Sequence, residues 1–185
     1  MKYLKKYSIF LEDKFEIEDT DSPDVKMSKE KMNTIKDQMT TYKTKKLLID
    51  KLYSTEGVDI EKGLEDILGP TDIQNGPDRN PFLVEYAHIA KLDSDVNKLH
   101  KDNVNDKIKL DDFQEELGLS KDNSTKDSVS SKINDIKNRM SERSSKIDEI
   151  KKDLLDSEKA HKEKMIKLEV DMNDYIQNIS TSDEK

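Results

Sequence analysis

Two of the three histidines in this 185-residue chain follow a glutamate by three positions: His88 after Glu85, and His161 after Glu158. On a helix this spacing sets carboxylate and imidazole on one face. Two such pairs, with one glutamate from each of two further helices, form the ligand set of a di-iron helical bundle. The two further carboxylates have no evident inward positions on long helices. A chain with 41 Asp and Glu residues also produces such spacings by chance. The di-iron bundle, an enzyme or an iron store, is therefore an alternative; the expectation is no metal, no cofactor and no catalytic residue. His100, near a helix end, suits an interaction with the helix dipole.

A second candidate lies in Lys101-Asp102-Asn103-Val104-Asn105-Asp106-Lys107-Ile108-Lys109-Leu110-Asp111-Asp112. It resembles an EF-hand calcium loop, with Asn103 and Asn105 at the third and fifth ligand positions and Ile108 at the central apolar one. It departs where Lys101 replaces the first Asp, Asp106 the turn Gly, and Asp112 the longer Glu. The resemblance implies a regulatory adaptor with a degenerate EF-hand over 101–112; the residues themselves read as a helix end, an Asn-rich turn and a short capped helix. Asp111, Asp112, Glu115 and Glu116 form an acidic group that reads as a solvated face. No Gly-rich phosphate loop, nucleophile elbow or catalytic triad occurs.

Composition narrows the classes further. Charged residues make up 40% of the chain and hydrophobic residues 32%, without Trp, so a large core cannot be built. The net charge of −8, with the two signs interleaved, argues against nucleic acid as a partner. Arginine occurs only at 79, 139 and 143. The absence of Cys excludes disulfides, thiolate nucleophiles and Cys-based zinc sites. Apolar runs of four residues or fewer predict no membrane span. The start of the chain lacks the apolar stretch of a secretion signal, which predicts an intracellular, cytoplasmic location.

The elements follow from apolar spacing. Residues 1–18 form an N-terminal segment in which Tyr3, Tyr7, Phe10 and Leu11 recur at helical intervals, and Lys14–Glu18 alternates like a short edge strand. This segment either packs on the body of its own fold or, in the functional reading, docks on a protein partner, with a membrane-surface helix as the lesser alternative. Residues 19–27, around Pro23, read as a linker, and Ser28 as the cap of a helix to about Ser54. Its stripe of Met32, Ile35, Met39 and Tyr42 is interrupted by Lys46 and resumes at Ile49 and Tyr53. A short helix over 59–68 stops at Gly69-Pro70. Asn80 and Pro81 open another, with Ile89, Leu92, Val96 and Leu99 as its seam and a soft end near Asn103. A further short helix over 111–117 closes at Gly118. Together 28–118 form a small helical region.

Residues 119–185 carry the strongest pattern. Ser124 with Asp127 reads as a capping box. Ile133, Ile136, Met140, Ile147, Ile150 and Leu154 keep a seven-residue repeat broken at Arg143. Met165, Leu168, Met172, Tyr175 and Ile179 resume it, with His161 in register. A helix over 125–179 is about 80 Å long and cannot bury so narrow a stripe alone. The 28–54 helix is half that length, so an intermolecular partner is expected, in a homo-oligomer or larger assembly.

The sequence thus predicts an all-α chain, elongated rather than globular, ending in a long coiled-coil helix. Met1 to Asp13, rich in Lys and Tyr and running into Phe-Leu-Glu, resembles the starts of many proteins encoded by large AT-rich tailed phages. The Cys-free, Lys/Asn/Asp-rich heptads are similar in style. The resemblance implies a virion, tail or scaffolding component. With or without it, the expected function is a non-enzymatic structural or assembly protein acting through coiled-coil packing.

Overall fold

Heptad stripes and polar outer faces give a chain built of helices. The computed structural model describes residues 14–69 and 80–180, among which there are four helices and no strand. They are α1 (Pro23–Ser54), α2 (Ile60–Leu68), α3 (Pro81–Leu119) and α4 (Asn123–Ser180). The fold is all-α with a long C-terminal helix of 58 residues. No helix among the described residues is long and apolar enough to cross a membrane. Tyr3, Tyr7, Phe10 and Leu11 lie outside the described residues.

Each start has a local chemical cause. Ser22 caps α1 by accepting a hydrogen bond from the Val25 N–H, and Pro23 fills the first helical position, where no donor is missed. The expected 19–27 linker is therefore partly helical, and Ser28 is a buried residue within α1. Asp59 caps α2 through the Lys62 N–H, and Gly69 ends it at φ 90°, a conformation that favours glycine. Asn80 Oδ1 accepts from the N–H groups of Phe82 and Leu83, with Pro81 opening α3 as expected. For α4 the cap is Asp122, bonded to the Thr125 N–H at 3.0 Å, not Ser124.

Two further expectations are corrected. Residues 14–18 do not pair as a strand: the Phe15 N–H donates to Asn33 Oδ1 at 2.8 Å, and Asn33 Nδ2 donates back to the Phe15 carbonyl at 2.9 Å. A side-chain amide thus takes both hydrogen bonds that a neighbouring strand would supply. The second correction is larger. α3 does not end near Asn103 but runs unbroken to Leu119, so 101–112 is helix rather than an EF-hand-like loop. Between Pro81 and Gly118 no Gly or Pro interrupts it, and Asn costs a helix only tenths of a kcal/mol (about 0.7 at most).

The chain divides into two compact units, Met1–Ala87 with Glu158–Lys185, and His88–Ser157, so α3 and α4 contribute to both. In the first, α1 packs against the start of α3 and the end of α4. Asn178 donates to Ser28, and His161 meets Tyr42, so α4 runs antiparallel to α1. Asn80 bonds the Gln38 carbonyl and Lys46 bonds Tyr86, so α3 runs parallel to α1. The core there is Val25, Met32, Ile35, Met39, Tyr42, Ile49, Phe82, Leu83, Ala87, Met172 and Ile179. α2 folds back on α1, where the Lys45 ammonium reaches the Ile67 carbonyl. The second unit is a helical hairpin of α3 and α4 around Val96, Val129, Ile133, Ile136 and Ile147.

Candidate functional site

Polar residues inside an apolar stripe need partners, because an unpaired buried polar group costs more than the burial gains. Three such breaks occur, at Lys46, Arg143 and His161, and each is answered from a neighbouring helix. In the first unit the imidazole of His161 lies 3.2 Å from Glu85 Oε2 through Nδ1 and 3.2 Å from the Tyr42 hydroxyl through Nε2. Phe82 and Tyr42 flank the ring, with centroids 6.3 and 5.9 Å away. Glu85 also pairs with Lys164.

The tautomer follows from the partners. A carboxylate only accepts, so Nδ1 carries the proton and donates to Glu85; Nε2 then accepts from the Tyr42 hydroxyl. Burial pushes the His161 imidazole below its ordinary value of 6.5, and the nearby Lys46 ammonium pushes the same way. Burial, helped by Asp50, raises the Tyr42 phenol to about 12. The pair is thus a neutral imidazole and a neutral phenol at pH 7. Although carboxylate, imidazole and hydroxyl line up as in a nucleophilic triad, a buried phenol held in its protonated form is a poor nucleophile.

Lys46 completes this layer. Its ammonium donates to the Tyr86 hydroxyl at 2.8 Å and lies 4.0 Å from the centroid of that ring, while Tyr86 donates to Asp50. Tyr42 and Tyr86 meet edge to face at 6.0 Å.

The second unit has a layer of different chemistry. Asp106 is buried, and Arg143 Nη1 reaches its Oδ2 at 2.6 Å with Arg139 Nε at 3.4 Å. The Arg143 hydrogen bond is the main cause holding this carboxyl below its ordinary 3.8, with Arg139 adding to it against a desolvation that acts the other way. One turn along α3, Lys109 lies 3.6 Å away. Asp106, expected in a loop, is the helical counterpart of the Arg143 break.

The expected partner-binding seam is covered within the chain. Ile133, Ile136, Ile147, Met172 and Ile179 are buried, and Met140, Ile150, Leu154, Met165, Leu168 and Tyr175 half-buried. The 28–54 helix alone is too short to cover α4, but α3 continues to Leu119 and packs on the Ile133, Ile136 and Ile147 part of the stripe in the second unit. What the helices leave open is a different face. Val104, Ile108 and Leu119 of α3 are 59%, 57% and 75% exposed. Steps of four and eleven residues keep them on one side of a helix, with Asp111 and Glu115 between them.

Of the two Glu-x-x-His pairs, the structure brings together Glu85 of one with His161 of the other. Among the described residues no group of three or more His, Asp or Glu is placed to hold a metal ion. The acidic group at 111–116 borders an open cavity of about 380 Å³ lined by Asp112, Glu115, Glu116, Leu119 and Ser120. Sequence reading marked Arg143 and His161 as breaks but missed Tyr42, Glu85 and Asp106 as their partners. The signal was present: a break in one stripe calls for a polar residue on a facing helix. No protein-family model, curated protein or solved structure matched this chain.

Proposed function

We propose that the protein is a non-enzymatic structural or assembly component that holds other protein chains through helix faces. The observation carrying this reading is the exposed pair Val104 and Ile108, one turn apart on α3, with Leu119 open on the same side three turns further on, beyond Asp111 and Glu115. Apolar side chains left open together on one side of a helix, rimmed by charged residues, suit contact with another protein, and helix-in-groove or coiled-coil packing is the mode that fits the spacing. The two polar layers support the same reading. The Asp106–Arg143 and Glu85–His161 contacts, largely covered by the helices they join, suit a role in fixing helix register, the best-attested use of such groups. A virion or scaffolding role is the form implied by the resemblance of the first thirteen residues to tailed-phage proteins, with Tyr3, Tyr7, Phe10 and Leu11 as a second docking element.

Light scattering coupled to size-exclusion chromatography tests the reading. The expected result is a mass that is a multiple of 21.4 kDa, reduced to 21.4 kDa by Ile108→Asp without loss of helicity. A wild-type mass of 21.4 kDa at high protein concentration, or an oligomer indifferent to Ile108→Asp and Val104→Asp, overturns self-association through this face.

A further inference from the structure

Each unit contains a polar layer within its apolar core, and the two layers differ in chemistry. In the first, the imidazole of His161 is nearly covered, its side chain 13% exposed, and both ring nitrogens are engaged. The charged and titratable groups around it come from each packed helix: Tyr42, Lys46 and Asp50 on α1, Glu85 and Tyr86 on α3, and Lys164 on α4. In the second, an aspartate faces two arginines, and no imidazole takes part. The remaining histidines, His88 and His100, are both exposed.

We propose that the Glu85–His161–Tyr42 layer is an acid-sensitive latch. Proton uptake by His161 loosens the packing of the end of α4 on α1 and α3 in the first unit, while the Asp106–Arg139–Arg143 layer keeps the second unit closed.

The cause is the hydrogen-bond inventory. Protonation turns Nε2 from acceptor to donor, so two donors face each other across the 3.2 Å contact with Tyr42. The phenol must rotate to accept, which takes its own proton off the acceptor it had, inside a site where Tyr42 is 6% exposed. The new charge also joins the Lys46 and Lys164 ammonium groups against two carboxylates, Glu85 and Asp50. Glu85 gains a stronger partner, yet it is already shared with Lys164. The sign is that of a histidine buried neutral. The unfolded chain takes up the proton near 6.5 and the folded unit resists it. Stability is therefore full above 6.5 and falls as pH drops below it, until the lower folded value is reached.

Amide hydrogen exchange of the full chain at pH 7 and pH 5, corrected for the intrinsic pH dependence, reads each unit separately. In the first unit, protection of α1 and of residues 158–180 should fall by up to about tenfold per pH unit below 6.5, the limit for one proton. Protection of residues 88–157 should not change. His161→Gln is the informative variant: its amide can donate to Glu85 and accept from Tyr42 as the neutral imidazole does, but cannot titrate. It should keep the pH 7 protection and abolish the fall. The proposal is overturned by protection in the first unit that is equal at both pH values, by the same fall in His161→Gln, or by parallel loss in 88–157. Should His161→Gln not fold, the imidazole titration followed by NMR in the wild-type chain decides instead: a midpoint below 6.5 supports the latch, and one at or above 6.5 sinks it.

Discussion

Asp106 shows how a single carboxylate can hold two helices in register. Its side chain is 6% exposed and takes hydrogen bonds from Arg143 and Arg139 on the facing helix, so removing it leaves two guanidinium groups side by side without their common acceptor. Asp106→Ala should cost about 2 kcal/mol, the range for a charge-assisted hydrogen bond, measured as a lower urea midpoint with an unchanged slope. Asp106→Leu with Arg143→Leu should recover most of that loss, since apolar packing of similar volume often replaces a buried pair at no cost. The pH dependence runs in one direction. Asp106 is ionised in the fold at a pH where the unfolded side chain, near 3.8, begins to protonate. Its contribution is therefore complete above 3.8 and is lost as pH falls through the lower folded value. Asp21, whose carboxyl is lowered chiefly by its hydrogen bond to Lys29, acts in the same direction. In Asp106→Asn the acid limb of stability below pH 4 should be shallower than in the wild type, by equilibrium urea unfolding at stepped pH. An unchanged limb would remove Asp106 as its source.

Helix boundaries were legible in the sequence where a side chain caps or stops the backbone locally. Asp59, Gly69 and the Asn80-Pro81 pair act through their own peptide neighbours; Gly69 and Asn80-Pro81 stand where expected, and Asp59, expected as the first residue of α2, is its cap. Ser22-Pro23 carries the same kind of signal, a capping hydroxyl followed by a proline in the first helical position, where proline misses no donor. The end of α3 was not legible, because nothing local decides it. Asn103, Asn105 and Asp106 favour a turn by propensity, whereas Asp106 meets its arginines, and Phe113 its Lys132 ammonium at 5.2 Å, only once α4 is in place. It follows that millimolar calcium should leave the far-UV circular dichroism unchanged, since 101–112 is already helical; a calcium-induced gain in helicity would restore the loop. α2 gives a second element-scale expectation. Gly63 lets it approach α1, and a Cβ there would fall on the Cδ atoms of Leu52. Gly63→Ala gains about 1 kcal/mol of helix propensity but overpacks the contact by about 1–3, so a lower Tm is expected, recovered by adding Leu52→Ala. A higher Tm for Gly63→Ala alone would show that Leu52 swings aside freely.

Among the described residues the covered stripe of α4 and the open side of α3 are two apolar surfaces able to serve association, and substitution can tell them apart. The heptad stripe of α4 was legible from its spacing, and its residues are indeed turned inward. Which helix covers it was not, because coverage depends on α3 being continuous. In the hairpin unit Ile147 is 4% exposed, whereas Ile108 is 57% exposed. Ile147 is covered in the α3–α4 hairpin, so Ile147→Asp would bury a carboxylate among apolar neighbours and should destabilise the hairpin by several kcal/mol, roughly 3–5. Any oligomer would then be lost together with the fold. Ile108→Asp places the same charge in water and should leave stability within about 0.5 kcal/mol. If assembly uses the open face of α3, Ile108→Asp lowers the native mass to 21.4 kDa while thermal unfolding stays where it was. If assembly instead required opening the units to share the α4 stripe between molecules, the ranking would reverse. Ile108→Asp would be silent in mass, and Ile147→Asp would dissociate the oligomer without a separate loss of monomer stability. Mass and unfolding measured on the same two variants therefore separate a docking face from an exchanged core, because only the docking face can be disabled without disturbing the helices that carry it.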